Sequence, residues 1–96
     1  MAEIVNQRDK SISSLLKLWD GHKFSSGAVA RDVLLFCVEP QMYSFDATRL
    51  TQLDLGLRVA ALNVMQHTIA KNRSLRLPTR RLDELHNAWE AEERAA

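Results

Sequence analysis

Three histidines and one cysteine are the residues of this chain best suited to metal binding or nucleophilic catalysis, and their spacing argues against both. His22, His67 and His86 stand far apart, with no pair at the i, i+4 spacing that sets two imidazoles on one helix face. Cys37 has no second cysteine with which to chelate. It lies between Phe36 and Val38, apolar surroundings that suit a small buried hydrophobe and oppose a thiolate paired with His67 or His86. Ser25-Ser26-Gly27 lacks the glycine two residues before the serine that a nucleophile elbow requires, and no glycine-rich loop is present to cradle phosphate. Helix capping accounts for these serines. The sequence therefore predicts no catalytic residue, no metal ligand and no cofactor-binding residue, and a protein that is not an enzyme.

The remaining chemistry is charge. Lys71, Arg73, Arg76, Arg80 and Arg81 fall within residues 71–81, a stretch without a single acid. Guanidiniums beside the open amides of a helix start suit phosphate or an acidic protein surface. The plainer alternative is a solvated loop in which Arg80 pairs with Glu84 one turn on. No aromatic residue interleaves these cations to stack bases, which favours a protein over a nucleic acid. Residues 39–45 supply a second candidate surface, where Met42, Tyr43 and Phe45 either tuck over the core or anchor another protein. Phe45 is the one expected to tuck. The expected partner-binding residues are thus Lys71, Arg73, Arg76, Arg80, Arg81, Met42 and Tyr43. The link between residues 38 and 46 is too long for a DNA-reading helix-turn-helix.

These residues must be positioned by a small scaffold. The chain has 96 residues, with 13 Lys and Arg against 12 Asp and Glu, so it allows one domain, and its charge balance alone demands neither nucleic acid nor an anionic membrane. Its longest apolar run is 33–38, far short of the roughly 20 residues of a membrane-crossing helix. Residues 1–10 are polar and carry no apolar signal core, which predicts a cytoplasmic protein with no membrane association. The sequon Asn72-Arg73-Ser74 then has no role.

Four helical segments are expected. Ile12, Leu15, Leu16 and Trp19 follow the i, i+3, i+4, i+7 pattern, with Ser11 as a cap and Gly21 as a stop. Ser25 or Ser26 begins a second helix carrying Val29, Val33, Phe36 and Cys37, and Pro40 ends it. A buried strand over 33–38 competes with this helix, but a lone strand would leave both backbone edges unpaired. Asp46 is placed to cap a short helical turn. Thr51-Gln52-Leu53-Asp54 reads as an acidic capping box before a long central helix reaching Asn72. Its apolar residues Leu55, Leu57, Val59, Ala61, Leu62, Val64, Met65, Thr68 and Ile69 cover more than half the circumference, so solvent is expected only along Gln52, Gly56, Asn63, Gln66 and His67. After Leu75, Leu77 and Pro78, Thr79 caps a last helix with a stripe of Leu82, Leu85 and Trp89, flanked by His86. Residues 1–10 are expected as a flexible N-terminus, 11–91 as one helical domain, and 92–96 as a frayed C-terminus. The fold class is all-α, a single-domain bundle of about four helices.

Arg58 falls amid the apolar arc of the central helix, where it either snorkels along the core edge to water or, as expected here, forms an ion pair with Asp54 or Asp32. So small a core also gains from burying a second surface, which makes a homodimer through the central helix a further expectation.

Residues 14–89 resemble a family of short helical proteins of unknown function encoded on proteobacterial plasmids, phages and other mobile elements. Leu15-Leu16, Ser25-Ser26-Gly27 followed by Val29-Ala30, Leu34-Leu35, Phe45-Asp46, Leu53-Asp54 and Trp89 carry the likeness. The chain departs from that family at Phe36-Cys37, where its members carry tryptophan. The resemblance implies a shared fold and no catalytic residues. It implies a module that binds a host or mobile-element protein complex, an inhibitor of a host defence or regulatory complex being one such case. The alternative is a nucleic-acid accessory protein using residues 71–81.

Overall fold

The computed structural model describes the backbone of residues 2–95 and the side chains of residues 9–95. Four α-helices follow in order, α1 (Ala2–Gly21), α2 (Ser26–Val38), α3 (Leu55–Lys71) and α4 (Thr79–Ala95), with a 3-10 helix (Ala47–Gln52) between α2 and α3. The radius of gyration is 12.5 Å, matching the roughly 12.5 Å of a single compact domain of this length.

Local chemistry explains most boundaries. Residues 33–38 are helical, and α2 stops where Pro40 pushes Glu39 into an extended conformation, φ −147° and ψ 87°. The α1–α2 turn is tight because the Gly27 amide donates to the His22 carbonyl at 2.8 Å. A Cβ on Gly27 would sit 2.3 Å from that oxygen, so no larger residue fits. Ser25 occupies the N-cap position of α2 without making a side-chain capping bond. Asp46 caps the 3-10 helix by accepting from the Thr48 amide. Asn72 closes α3 in the left-handed conformation, φ 50°, which asparagine tolerates better than most residues.

Three expected start signals are displaced. α1 begins at Ala2, so Ser11 is a buried residue inside the helix rather than its cap. Asp54, not Thr51, caps α3 by accepting from the Leu57 amide at 3.0 Å, while the Thr51 hydroxyl donates back to the Thr48 carbonyl at 2.8 Å. Thr79 is the first residue of α4, and the Pro78 carbonyl accepts from the Leu82 amide at 2.9 Å. Proline has no amide to leave unpaired at that junction.

α2 is the most enclosed element, packed by α1, α3, α4 and the 3-10 helix. Its Val29, Ala30, Val33, Leu34, Leu35 and Cys37 are buried, and Leu15, Trp19, Val64 and Leu85 close over them from the other helices. Two charged residues share this enclosure. The Arg31 Nε donates to Asp32 Oδ1 at 2.8 Å, its Nη2 pairs with Glu92 at 2.8 Å, and Arg49 of the 3-10 helix donates to Asp32 Oδ2. This network ties α4 and the 3-10 helix to α2. Burial opposes the Arg31 charge, but Asp32 and Glu92 outweigh it and hold the guanidinium above its ordinary pKa.

Two expectations about the long helix α3 are corrected. Its inner face buries Ala60, Ala61, Val64 and Thr68 against α1 and α2, but Leu55, Val59, Leu62 and Ile69 stand in solvent. The apolar arc spans more than half the helix, and α4, which docks on α2, does not reach it. Arg58 pairs with neither carboxylate. Its Nε donates to the Leu53 carbonyl at 2.9 Å and its Nη2 to the Thr51 carbonyl at 3.4 Å, so the main chain before α3 satisfies it, while Asp32 is taken by Arg31 and Arg49.

Candidate functional site

The segment joining α3 to α4 crosses the end of the molecule where α2 finishes. Leu75 is buried and its amide donates to the Cys37 carbonyl at 2.8 Å, which pins the segment and turns its polar residues outward. Lys71, Arg73, Arg76 and Arg80 are all exposed, and none of them forms an ion pair among the described residues. Arg73 shares a hollow of 210 Å³ with Glu39, Pro40 and Gln41. The two candidate surfaces, residues 39–45 and residues 71–81, are therefore neighbours. Met42, about half exposed at 53%, follows directly from that hollow.

Arg81 and Tyr43 lie elsewhere. The Arg81 guanidinium grips Asp20 of α1 through both Nη atoms, at 2.8 and 2.7 Å, and also bonds Glu84 at 3.0 Å. The hydrogen bond from Arg81 holds the Asp20 carboxyl below its ordinary pKa, and Arg81 is raised in return. Glu84 thus pairs with Arg81 rather than Arg80. Tyr43 is buried at 6% exposure. Its hydroxyl shares a 2.7 Å hydrogen bond with His86 Nδ1, and its ring meets Trp89 edge-on with centroids 5.0 Å apart. Burial, aided by the nearby Glu39 charge, raises the Tyr43 pKa. Phe45 packs half-buried against the core. The exposed basic surface thus comprises Lys71, Arg73, Arg76 and Arg80 with Met42 beside it, and its neighbouring aromatic residues are turned inward.

Exposed cations without partners can form charge-assisted hydrogen bonds to carboxylates while keeping part of their hydration at an interface rim, so the arrangement suits a polyanionic partner. Lys71 and Arg73 also sit at the negative end of α3, where cations are favoured. Among the described residues no group of three or more His, Cys, Asp or Glu is placed to hold a metal ion, and no helix is long and apolar enough to cross a membrane.

A second concave region was not anticipated. Where α1 turns into α2, an open groove of 670 Å³ runs past Trp19, Lys23, Phe24, Arg31 and the alanines of α4. The Trp19 indole donates to Glu84 at 2.8 Å, and Lys23 and Arg31 approach its ring at 5.5 and 5.8 Å from the centroid, within cation–π range. Phe24 at its rim is fully exposed. The sequence signal was an aromatic residue stranded in the polar turn of residues 22–25, outside any apolar periodicity. No family model, curated protein or solved structure matches this chain.

Proposed function

We propose that this protein is a non-enzymatic binding module that docks on an acidic surface of another protein complex. The observation that carries this reading is the set of four exposed cations, Lys71, Arg73, Arg76 and Arg80, without ion pairs among the described residues and adjoining the exposed Met42. The segment 71–81 contains no acid, and Glu39, which shares the hollow with Arg73, forms no ion pair with it. Met42 adds a flexible apolar contact beside the charges, a combination that suits a protein surface. The resemblance to mobile-element proteins supports a host or mobile-element complex as the partner, an inhibited defence or regulatory complex being one form.

The same cations support a second reading, a nucleic-acid accessory role through phosphate contacts. The inward turn of Tyr43 and Phe45 removes the stacking surface that single strands favour. Capture from a proteobacterial lysate by the tagged wild type, compared with a variant carrying Arg73→Glu and Arg76→Glu, tests the first reading. A stoichiometric protein retained by wild type and lost by the variant supports it. Duplex binding at about 50 mM salt, weakening linearly in log–log form as salt rises, supports the second instead. Retrieval of the same protein by both forms refutes the role given to the basic surface.

A further inference from the structure

Among the described residues, nothing covers the outer face of α3. Leu55, Val59, Leu62 and Ile69 are 73, 49, 51 and 64% exposed. Leu55, Leu62 and Ile69 recur every seventh residue, with Val59 and Gln66 in the intervening positions, which is the a/d spacing of a helix seam that packs against another helix. We propose that this face is a self-association surface on which a second copy of the chain lays its own α3 antiparallel, about a two-fold axis at Leu62.

Five features select a second copy. The seam is palindromic at its every-seventh positions: a two-fold at Leu62 sets Leu62 on Leu62 of the other copy and Leu55 on Ile69, while Val59 falls opposite Met65 and Gln66 opposite Arg58. The face is also free of charge. Beyond the apolar residues it carries Gly56, Asn63, Gln66 and Ala70, and Arg58, the nearest cation, is held by the carbonyls of Leu53 and Thr51. An uncharged face is matched by an uncharged face, since a charged partner would lose hydration without compensation. Of the other exposed large hydrophobics among the described residues, Phe24 lies at the rim of the α1–α2 groove and Met42 beside the basic surface, so neither extends the α3 seam. The area agrees as well. Four half-exposed or more exposed aliphatic side chains expose several hundred Å², the scale of the largest patch on a typical monomer, and with their flanking residues they approach the roughly 600 Å² per partner of a small, reversible interface. Antiparallel pairing finally sets opposite helix dipoles side by side. Lys71 ends the same helix two residues after Ile69, whereas Arg73, Arg76 and Arg80 follow after the helix, so pairing of α3 leaves those three outside the paired segment.

Sedimentation of the full chain between about 1 and 200 μM tests the proposal, with a dissociation constant in the micromolar range expected for an interface of this size. Leu62→Glu sets two carboxylates against each other on the axis, and at least ~100-fold weaker association is expected, with an unchanged helical circular dichroism spectrum. Because Leu62 already meets solvent, this variant does not disturb the monomer core. Disulfide trapping fixes the register. Leu62→Cys links to itself, and Leu55→Cys links to Ile69→Cys but not to itself, while the buried Cys37 stays silent. A wild type that stays monomeric at about 200 μM overturns the proposal and leaves the face to a different protein. Association of Leu62→Glu as tight as wild type, or self-linking of Leu55→Cys, overturns it equally.

Discussion

Replacing Asp32 with alanine removes a buried carboxylate that holds two guanidiniums, those of Arg31 and Arg49. Its Oδ1 accepts from Arg31 Nε at 2.8 Å and its Oδ2 from Arg49, and the Arg31 and Asp32 side chains are only 3% and 9% exposed. In Asp32→Ala, Arg31 keeps the partly exposed Glu92, while Arg49, itself about a third exposed, swings toward water. The stranded charge is therefore only partly compensated, which points to the low end of the usual range for breaking a buried pair, about 3 kcal/mol. Arg49→Ala should cost about 1 kcal/mol, because Asp32 retains Arg31 and the lost partner was the more solvated one. A domain of this size has roughly 5–14 kcal/mol in total, so Asp32→Ala leaves it folded but lowers its melting temperature by roughly 12–24 °C. Urea unfolding followed by far-ultraviolet circular dichroism measures both variants on one scale. A cost below about 1 kcal/mol for Asp32→Ala, or equal costs for the two variants, would refute the reasoning that Asp32 is the hinge of the network.

Gly27→Ala should destabilise by about 3 kcal/mol or more in the same unfolding assay, because the new Cβ meets main-chain atoms of His22 and Leu18 that belong to the α1–α2 turn. Gly21→Ala, which meets nothing within 4 Å, should be neutral or stabilising by about 0.5 kcal/mol, and the opposite order would refute the role given to close approach. Asp20 has a depressed pKa because Arg81 bonds its carboxylate, so its contribution is present above its ordinary value near about 4 and lost as pH falls through the lower folded value. The stability gap between wild type and Asp20→Asn should accordingly exist at pH 7 and narrow as pH falls below about 4; a gap that does not change with pH there would show another origin. Arg58→Ala should cost about 1 kcal/mol for its bonds to the Leu53 and Thr51 carbonyls, with no coupling to Asp54→Ala in a double-mutant cycle.

The existence of the four helices was legible in the sequence because it depends on local chemistry, although α1 starts at Ala2, well before its expected cap Ser11. The stripes Leu15-Trp19, Val29-Val33-Cys37 and Leu82-Leu85-Trp89 follow helical periodicity, and Pro40, Asp46 and Asn72 act on neighbours a few residues away. The basic segment was legible as well, since Lys71, Arg73, Arg76 and Arg80 have no acid close in the chain. What depends on distant partners was not. Arg81 leaves the basic set because Asp20, from another helix, reaches it, and Tyr43 leaves the surface because His86 and Trp89 receive it. Arg58 finds carbonyls rather than Asp32 because Arg31 and Arg49 claim that carboxylate first. The same limit governs α3. Periodicity shows that its apolar arc exceeds half a turn, but which part of that arc meets solvent follows from where α1 and α2 dock and from α4 stopping at α2. A helix carries the pattern of its own faces in its sequence, whereas the cover over each face is a property of the other helices.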